Sequence, residues 1–141
     1  MREVPGVIGV KQSAGDMKLF ADLMISAGPD DLIFSAVDGL LYASYCLGAH
    51  GSIAAILSAA PRPSVQLWNA VKAGDHATAL DLHEKLLVLW NAIVGDNLPA
   101  TTKYSQILQG IPAGLPRQPM SMPGEPQQVL IRNALMGLSL I

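Results

Sequence analysis

Charge is scarce in this sequence. Only 14% of its 141 residues are charged while 50% are hydrophobic, where an ordinary soluble domain carries about 25% charged residues. So little polar surface implies a chain that contributes to a larger core or buries a face against a partner. The formal net charge is −2, and no cluster of Lys and Arg interrupts the chain. A nucleic-acid surface needs several cations placed to neutralise phosphates, so that class of partner is excluded. Cysteine is nearly absent as well. The single Cys46 rules out an intramolecular disulfide, fits a reducing compartment, and is read as a buried, inert thiol.

Long apolar runs are missing too. The opening "MREVPG" has no apolar core of the signal-peptide kind and is broken by Pro5, so no export is expected and the location is read as cytoplasmic. Residues 32–60 are almost uncharged, yet Asp38 and His50 divide them. Neither piece approaches the roughly 20 apolar residues of a membrane helix, and the segment is read as core, with no membrane partner. No Gly-x-Gly-x-x-Gly or P-loop pattern occurs, and Ser35, Ser44 and Ser58 lack a Gly-x-Ser-x-Gly elbow. His76 and His83 fall on one expected helix, about 10 Å apart along its axis, too far to share a metal without other ligands. They are read as solvent-facing, with no metal site. His50, in a glycine-flanked turn, is read as structural, and Trp68 and Trp90 fit core stripes of helices.

What the sequence does contain is a repeated order of signals. "GVIGVK" (6–11) is a short apolar run, followed by "SAGD" and a helical stripe of Met17, Phe20, Ala21 and Met24. "LIFSA" (32–36) leads through Asp38 into "GLLYASYCLGA", and "GSIAAIL" (51–57) is a third apolar run. Short runs apolar on both faces, alternating with helices, predict a parallel sheet covered by helices. From Pro63 onward the pattern is helical only. One helix places Val65, Trp68 and Val71 on a face, and the next, capped by Asp75, carries Leu82, Leu86, Leu89, Trp90 and Ile93. A helix over "ATTKYSQILQG", a proline-rich strap from Ile111 to Pro126 and a last helix around Val129 to Leu138 complete the chain. The expected class is α/β: three βα units in residues 1–62, then a helical region of the same domain in 63–141. Three strands are fewer than the five or six of a typical sheet, so the chain is expected to be part of a larger one.

The first strand ends on Lys11. On an extended strand Val7, Gly9 and Lys11 share one face and Ile8 and Val10 the other. Such a lysine either points into water or sits at the C-terminal mouth of a barrel, where (β/α)8 enzymes keep their chemistry. Three stretches choose between these. "VIGVKQSAGD", "SAVDGLLYASYCLGAHGSIAAI" and "LPATTKYSQILQGIPAGLPRQP" occur in order and together resemble the C-terminal half of the dihydrodipicolinate synthase and N-acetylneuraminate lyase family. The resemblance implies a partial TIM (β/α)8 barrel, strands six to eight with their helices, followed by a helical cap.

It also implies that Lys11 is the catalytic residue, forming a Schiff base with pyruvate or another 2-keto acid and needing no further cofactor. A neutral amine attacks the keto carbon, and the iminium withdraws electrons from the neighbouring carbon, so that a bond there forms or breaks through an enamine. Burial among apolar neighbours would favour the neutral amine. On the same resemblance Ser13, Ala36, Asp38 and Ile53 are substrate-binding. Ala36 stands where the family usually has glycine, so its methyl narrows the pocket. Asp38 aligns with an acidic residue that holds a polyol tail in the sialic-acid-cleaving branch, and it also reads as a helix N-cap. Gly39 in place of a glutamate, and Ala55 in place of a hydroxyl residue, count against sialic acid. The family's carboxylate-binding Gly-Thr-Thr segment and proton-shuttling tyrosine belong to the first five strands, and Tyr42, Tyr45 and Tyr104, on expected helices, do not replace them. The expectation is therefore a class I aldolase or lyase whose C-terminal part is inactive alone, partnered by an N-terminal barrel half or by copies of itself. A non-catalytic fragment or interaction module is the alternative.

Overall fold

The computed structural model describes residues 4–141, so Met1 to Glu3, the start of the stretch read as lacking an export signal, lie outside it. Three strands, β1 (Gly9–Gln12), β2 (Leu32–Ser35) and β3 (Gly51–Ser52), form one sheet in the order β1-β2-β3. Both pairings are parallel, as the alternation of apolar runs and helices predicts. The helices are α1 (Met17–Ser26), α2 (Leu41–Cys46), α3 (Ala55–Ala59), α4 (Pro61–Lys72), α5 (His76–Ile93), α6 (Leu98–Leu108) and α7 (Glu125–Gly137).

Local chemistry explains most boundaries. Asp16 starts α1 by accepting the N–H groups of Lys18 and Leu19 at 2.8 and 3.1 Å, and Asp75 starts α5 by accepting that of Thr78 at 3.1 Å. Pro61, at the first position of α4, needs no hydrogen-bond partner for its nitrogen. The strand β1 approaches β2 closely because Gly9 has no side chain: a Cβ there would lie 2.6 Å from the Leu32 carbonyl oxygen.

Several expected boundaries move. The run 51–57 is not one strand. Only Gly51 and Ser52 pair with β2, and from Ala55 the chain is helical, because an all-apolar segment has no period that separates a strand from a buried helix. Helix α4 begins at Pro61 rather than after Pro63, so the 62/63 division falls inside it, and α7 begins at Glu125, ending the proline-rich strap sooner. Val65 is 58% exposed, while Leu67 and Ala70 of the same helix are buried. The thiol of Cys46 is exposed, not buried. Leu67, Leu86, Leu89, Ile93, Ile131 and Leu135 form the centre of the core, where α4 and α7 pack on α5. Thr101 Oγ donates to the Ile93 carbonyl at 2.7 Å, and Gln109 Nε2 reaches the Ala59 carbonyl at 2.7 Å, binding α6 to α5 and α3.

The sheet has two different faces. Ile33 and Ser35 are buried, and Val10 packs on the same helical core. Lys11, paired in register with Phe34, lies on the opposite face, and Phe34 pairs in turn with Gly51. Ile33 therefore faces the helices.

Candidate active site

In a parallel sheet the chain leaves every strand at the same end. Lys11 and Gln12 close β1, with Ser13 immediately after them; Ala36 and Asp38 follow β2; Ile53 follows β3. The five residues singled out from the sequence thus emerge at one edge of the sheet. Backbone hydrogen bonds lace the exits together. The Ala36 N–H donates to the Gln12 carbonyl at 2.9 Å, and the Ile53 N–H donates to the Ser35 carbonyl at 2.9 Å. Ser35 Oγ donates to Ser44 Oγ at 2.8 Å, and Ser44 Oγ to the Leu40 carbonyl, so the buried hydroxyls beneath this edge are satisfied.

Lys11 is exposed, and among the described residues its ammonium has no ion pair or hydrogen bond. The apolar enclosure expected around it is not supplied by these residues. On its face of the sheet the next side chain is Phe34, whose ring lies within 3.2 Å of where a Cβ of Gly51 would stand. The row Lys11, Phe34, Gly51 is thus an amine and an aromatic ring that lies over a glycine. Neither Phe34 nor Gly51 was marked by the sequence, because only the strand register puts them beside Lys11.

Asp38 does not cap its own helix. It opens a short 3-10 turn and its Oδ1 accepts the Ile56 N–H of α3 at 2.7 Å. Burial raises its carboxyl above the usual range; hydrogen bonds from the backbone of Ile56, Asp38 itself and Ala55, together with the positive charge of Lys11, pull the other way. Ser13 is exposed and Ile53 is 53% exposed. Tyr42 and Tyr45 lie on α2 and Tyr104 on α6, as expected. Burial raises the Tyr45 phenol, whose oxygen is hydrogen-bonded to Ser52 Oγ.

The histidines are apart from this edge in role. His50 holds β2, and His76 is exposed, its Nδ1 3.1 Å from the Tyr42 hydroxyl. His83, expected to face solvent, is half-buried with its ring 5.8 Å from that of Tyr42. Among the described residues no three His, Cys, Asp or Glu side chains are grouped to hold a metal, and no helix is long and apolar enough to cross a membrane.

The profile of the dihydrodipicolinate synthetase family matches residues 1–136. The 4-hydroxy-tetrahydrodipicolinate synthase of Bradyrhizobium diazoefficiens is 33% identical over 139 residues, covering 99% of this chain and 47% of that protein. That of Methanopyrus kandleri is 32% identical over 140 residues, covering 99% and 46%. The crystal structure of N-acetylneuraminate lyase from Fusobacterium nucleatum complexed with pyruvate superimposes with a TM-score of 0.83 at 27% identity, over 96% of this chain and 46% of that one. The chain spans about half the length of each of these relatives.

Proposed function

The chain belongs to the dihydrodipicolinate synthetase family, and from that membership we propose that it is the nucleophile-bearing part of a class I lyase acting on pyruvate or a related 2-keto acid. The observation that carries the proposal is the placement of Lys11: last but one in β1, on the sheet face away from the helical core, at the edge where the chain leaves all three strands. In this reading the strands are the sixth to eighth of a (β/α)8 barrel, and that face looks into the barrel.

The chemistry follows from the amine. Neutral Lys11 Nζ adds to the keto carbon, the carbinolamine loses water, and the iminium draws electrons from the adjacent carbon. Loss of a proton from that carbon, or cleavage of a carbon-carbon bond to it, gives an enamine, which adds to an aldehyde or takes up a proton to regenerate an iminium. Hydrolysis returns the amine. Ser13, Ala36 and the backbone of Ile53 surround the keto acid at the sheet edge. The methyl of Ala36, on a backbone held by Gln12, narrows the space above Lys11 and favours a small acid such as pyruvate. Groups that bind the carboxylate and carry protons come from the rest of the barrel, in a longer form of this polypeptide or another chain.

The exposure of Lys11 favours a second reading for these 141 residues by themselves, a non-catalytic interaction module. Treatment of the chain with pyruvate and borohydride, followed by peptide mass spectrometry, separates the two. Reduction of a Schiff base leaves a stable adduct on Lys11. Absence of that adduct, alone and with a supplied N-terminal half, would remove the lyase reading.

A further inference from the structure

Helix α3 has no cap of its own. Ala54 occupies its N-cap position in an extended conformation and offers no side-chain acceptor, so the first N–H groups of the helix must find partners elsewhere. They find Asp38. Its Oδ1 takes the Ile56 N–H at 2.7 Å across 18 residues of sequence. Between α3 and β3 lie only Ile53 and Ala54, and the Ile53 N–H is itself fixed to the Ser35 carbonyl at 2.9 Å. The backbone of Ile53 is therefore clamped from both sides.

We propose that Asp38 is a positioning residue for the keto-acid pocket, its carboxylate holding the first turn of α3 so that the Ile53 backbone stays at the sheet edge where the chain leaves the strands, and that it does not bind a substrate hydroxyl. The inference rests on the Schiff-base reading. Its neighbours support it: Gly39 carries no side chain and Ala55 only a methyl, so no second polar side chain stands at these positions to share a polyhydroxylated tail with Asp38. The substrate class that follows is a 2-keto acid whose partner aldehyde needs no polyol grip at this edge.

The test uses the full chain, pyruvate and cyanoborohydride, with adduct on Lys11 read by mass and amide exchange read over residues 53–57. D38A is expected to raise the half-saturating pyruvate concentration at least fivefold and speed exchange at Ile56 at least tenfold, with the limiting labelling rate within twofold of native. D38N keeps an acceptor oxygen and should stay within twofold throughout. A54D, which supplies a cap at the extended N-cap position, should restore D38A. Should D38A fail to fold, the D38A/A54D double variant decides by whether its half-saturation is native or remains raised. Equal losses in D38N and D38A, no change in D38A, or failure of A54D to restore it would each overturn the proposal. A native chain that never labels at Lys11, alone and with a supplied N-terminal half, sinks the Schiff-base reading and this one with it, whereas native labelling with the wrong variant pattern sinks this one alone.

Discussion

His50 pairs with Ile33 twice. Its Nδ1 accepts the Ile33 N–H at 3.0 Å, and its own N–H donates to the Ile33 carbonyl at 2.8 Å. One histidine, by ring and backbone, extends the two-residue β3 along the side of β2 that would otherwise lack a partner. Ile33 is fully buried, so His50→Ala leaves its N–H unsatisfied, and a loss of about 1–3 kcal/mol is expected in urea unfolding. An unchanged midpoint would show that water replaces the ring.

Lys11 should be the lysine that pyruvate and borohydride label. Lys18 and Lys85 are held by Asp22 and Asp81 at 2.6 and 2.7 Å, Lys72 lies 4.4 Å over the Trp68 ring, and Lys103 donates to the carbonyls of Ala113 and Leu115. Each of these four amines is engaged by another group, whereas Lys11 has no such contact among the described residues. Peptide mapping of the reduced adduct checks this. Labelling that survives Lys11→Ala would count against it.

Gly9→Ala places a methyl against the backbone of Leu32, which cannot swing aside as a side chain could. The β1–β2 pairing should loosen, with a stability loss of about 1–3 kcal/mol and faster amide exchange at Leu32, whose N–H donates to the Ile8 carbonyl at 2.9 Å. Native exchange at that amide would refute it.

The His83 imidazole is pushed below its ordinary value of 6.5, chiefly by burial, with Glu84 opposing. The unfolded chain then binds the proton more readily than the folded one. This contribution to stability is present above 6.5 and is lost as pH falls through the depressed folded value. His83→Phe should flatten that part of the pH dependence in unfolding curves taken between about pH 7.5 and 5. Parallel curves for native and variant would contradict the burial argument.

The outer sides of β1 and β3 have no strand partner among the described residues, and Val7, Ile8 and Ile53 are exposed nearby, Ile8 to 68%. Edges of this kind associate. The purified chain is expected to self-associate or bind an apolar dye, and to show no steady-state aldol turnover. Sedimentation, dye fluorescence and a pyruvate assay test this together, and a dye-silent monomer that turns over substrate would overturn it.

The sequence by itself determined the parallel order of units, the helices with strong stripes and caps such as Asp75, a lysine close to the end of β1 though not its final residue, and family membership. These are local signals: a period, a cap, a spacing. It misjudged what depends on partners distant along the chain. The run 51–57 is apolar throughout, and only the two ladder positions available against β2 decide where strand yields to helix. Ile33 and Phe34 are adjacent apolar residues, and only packing on the helical core decides that Ile33 turns inward while Phe34 joins Lys11. Asp38 carries the signature of a cap for the helix that follows it, yet its carboxylate goes to α3. The acceptor it supplies is the one that Ala54 lacks, and a backbone N–H left bare in a half-buried turn is costly enough to choose its partner across the fold.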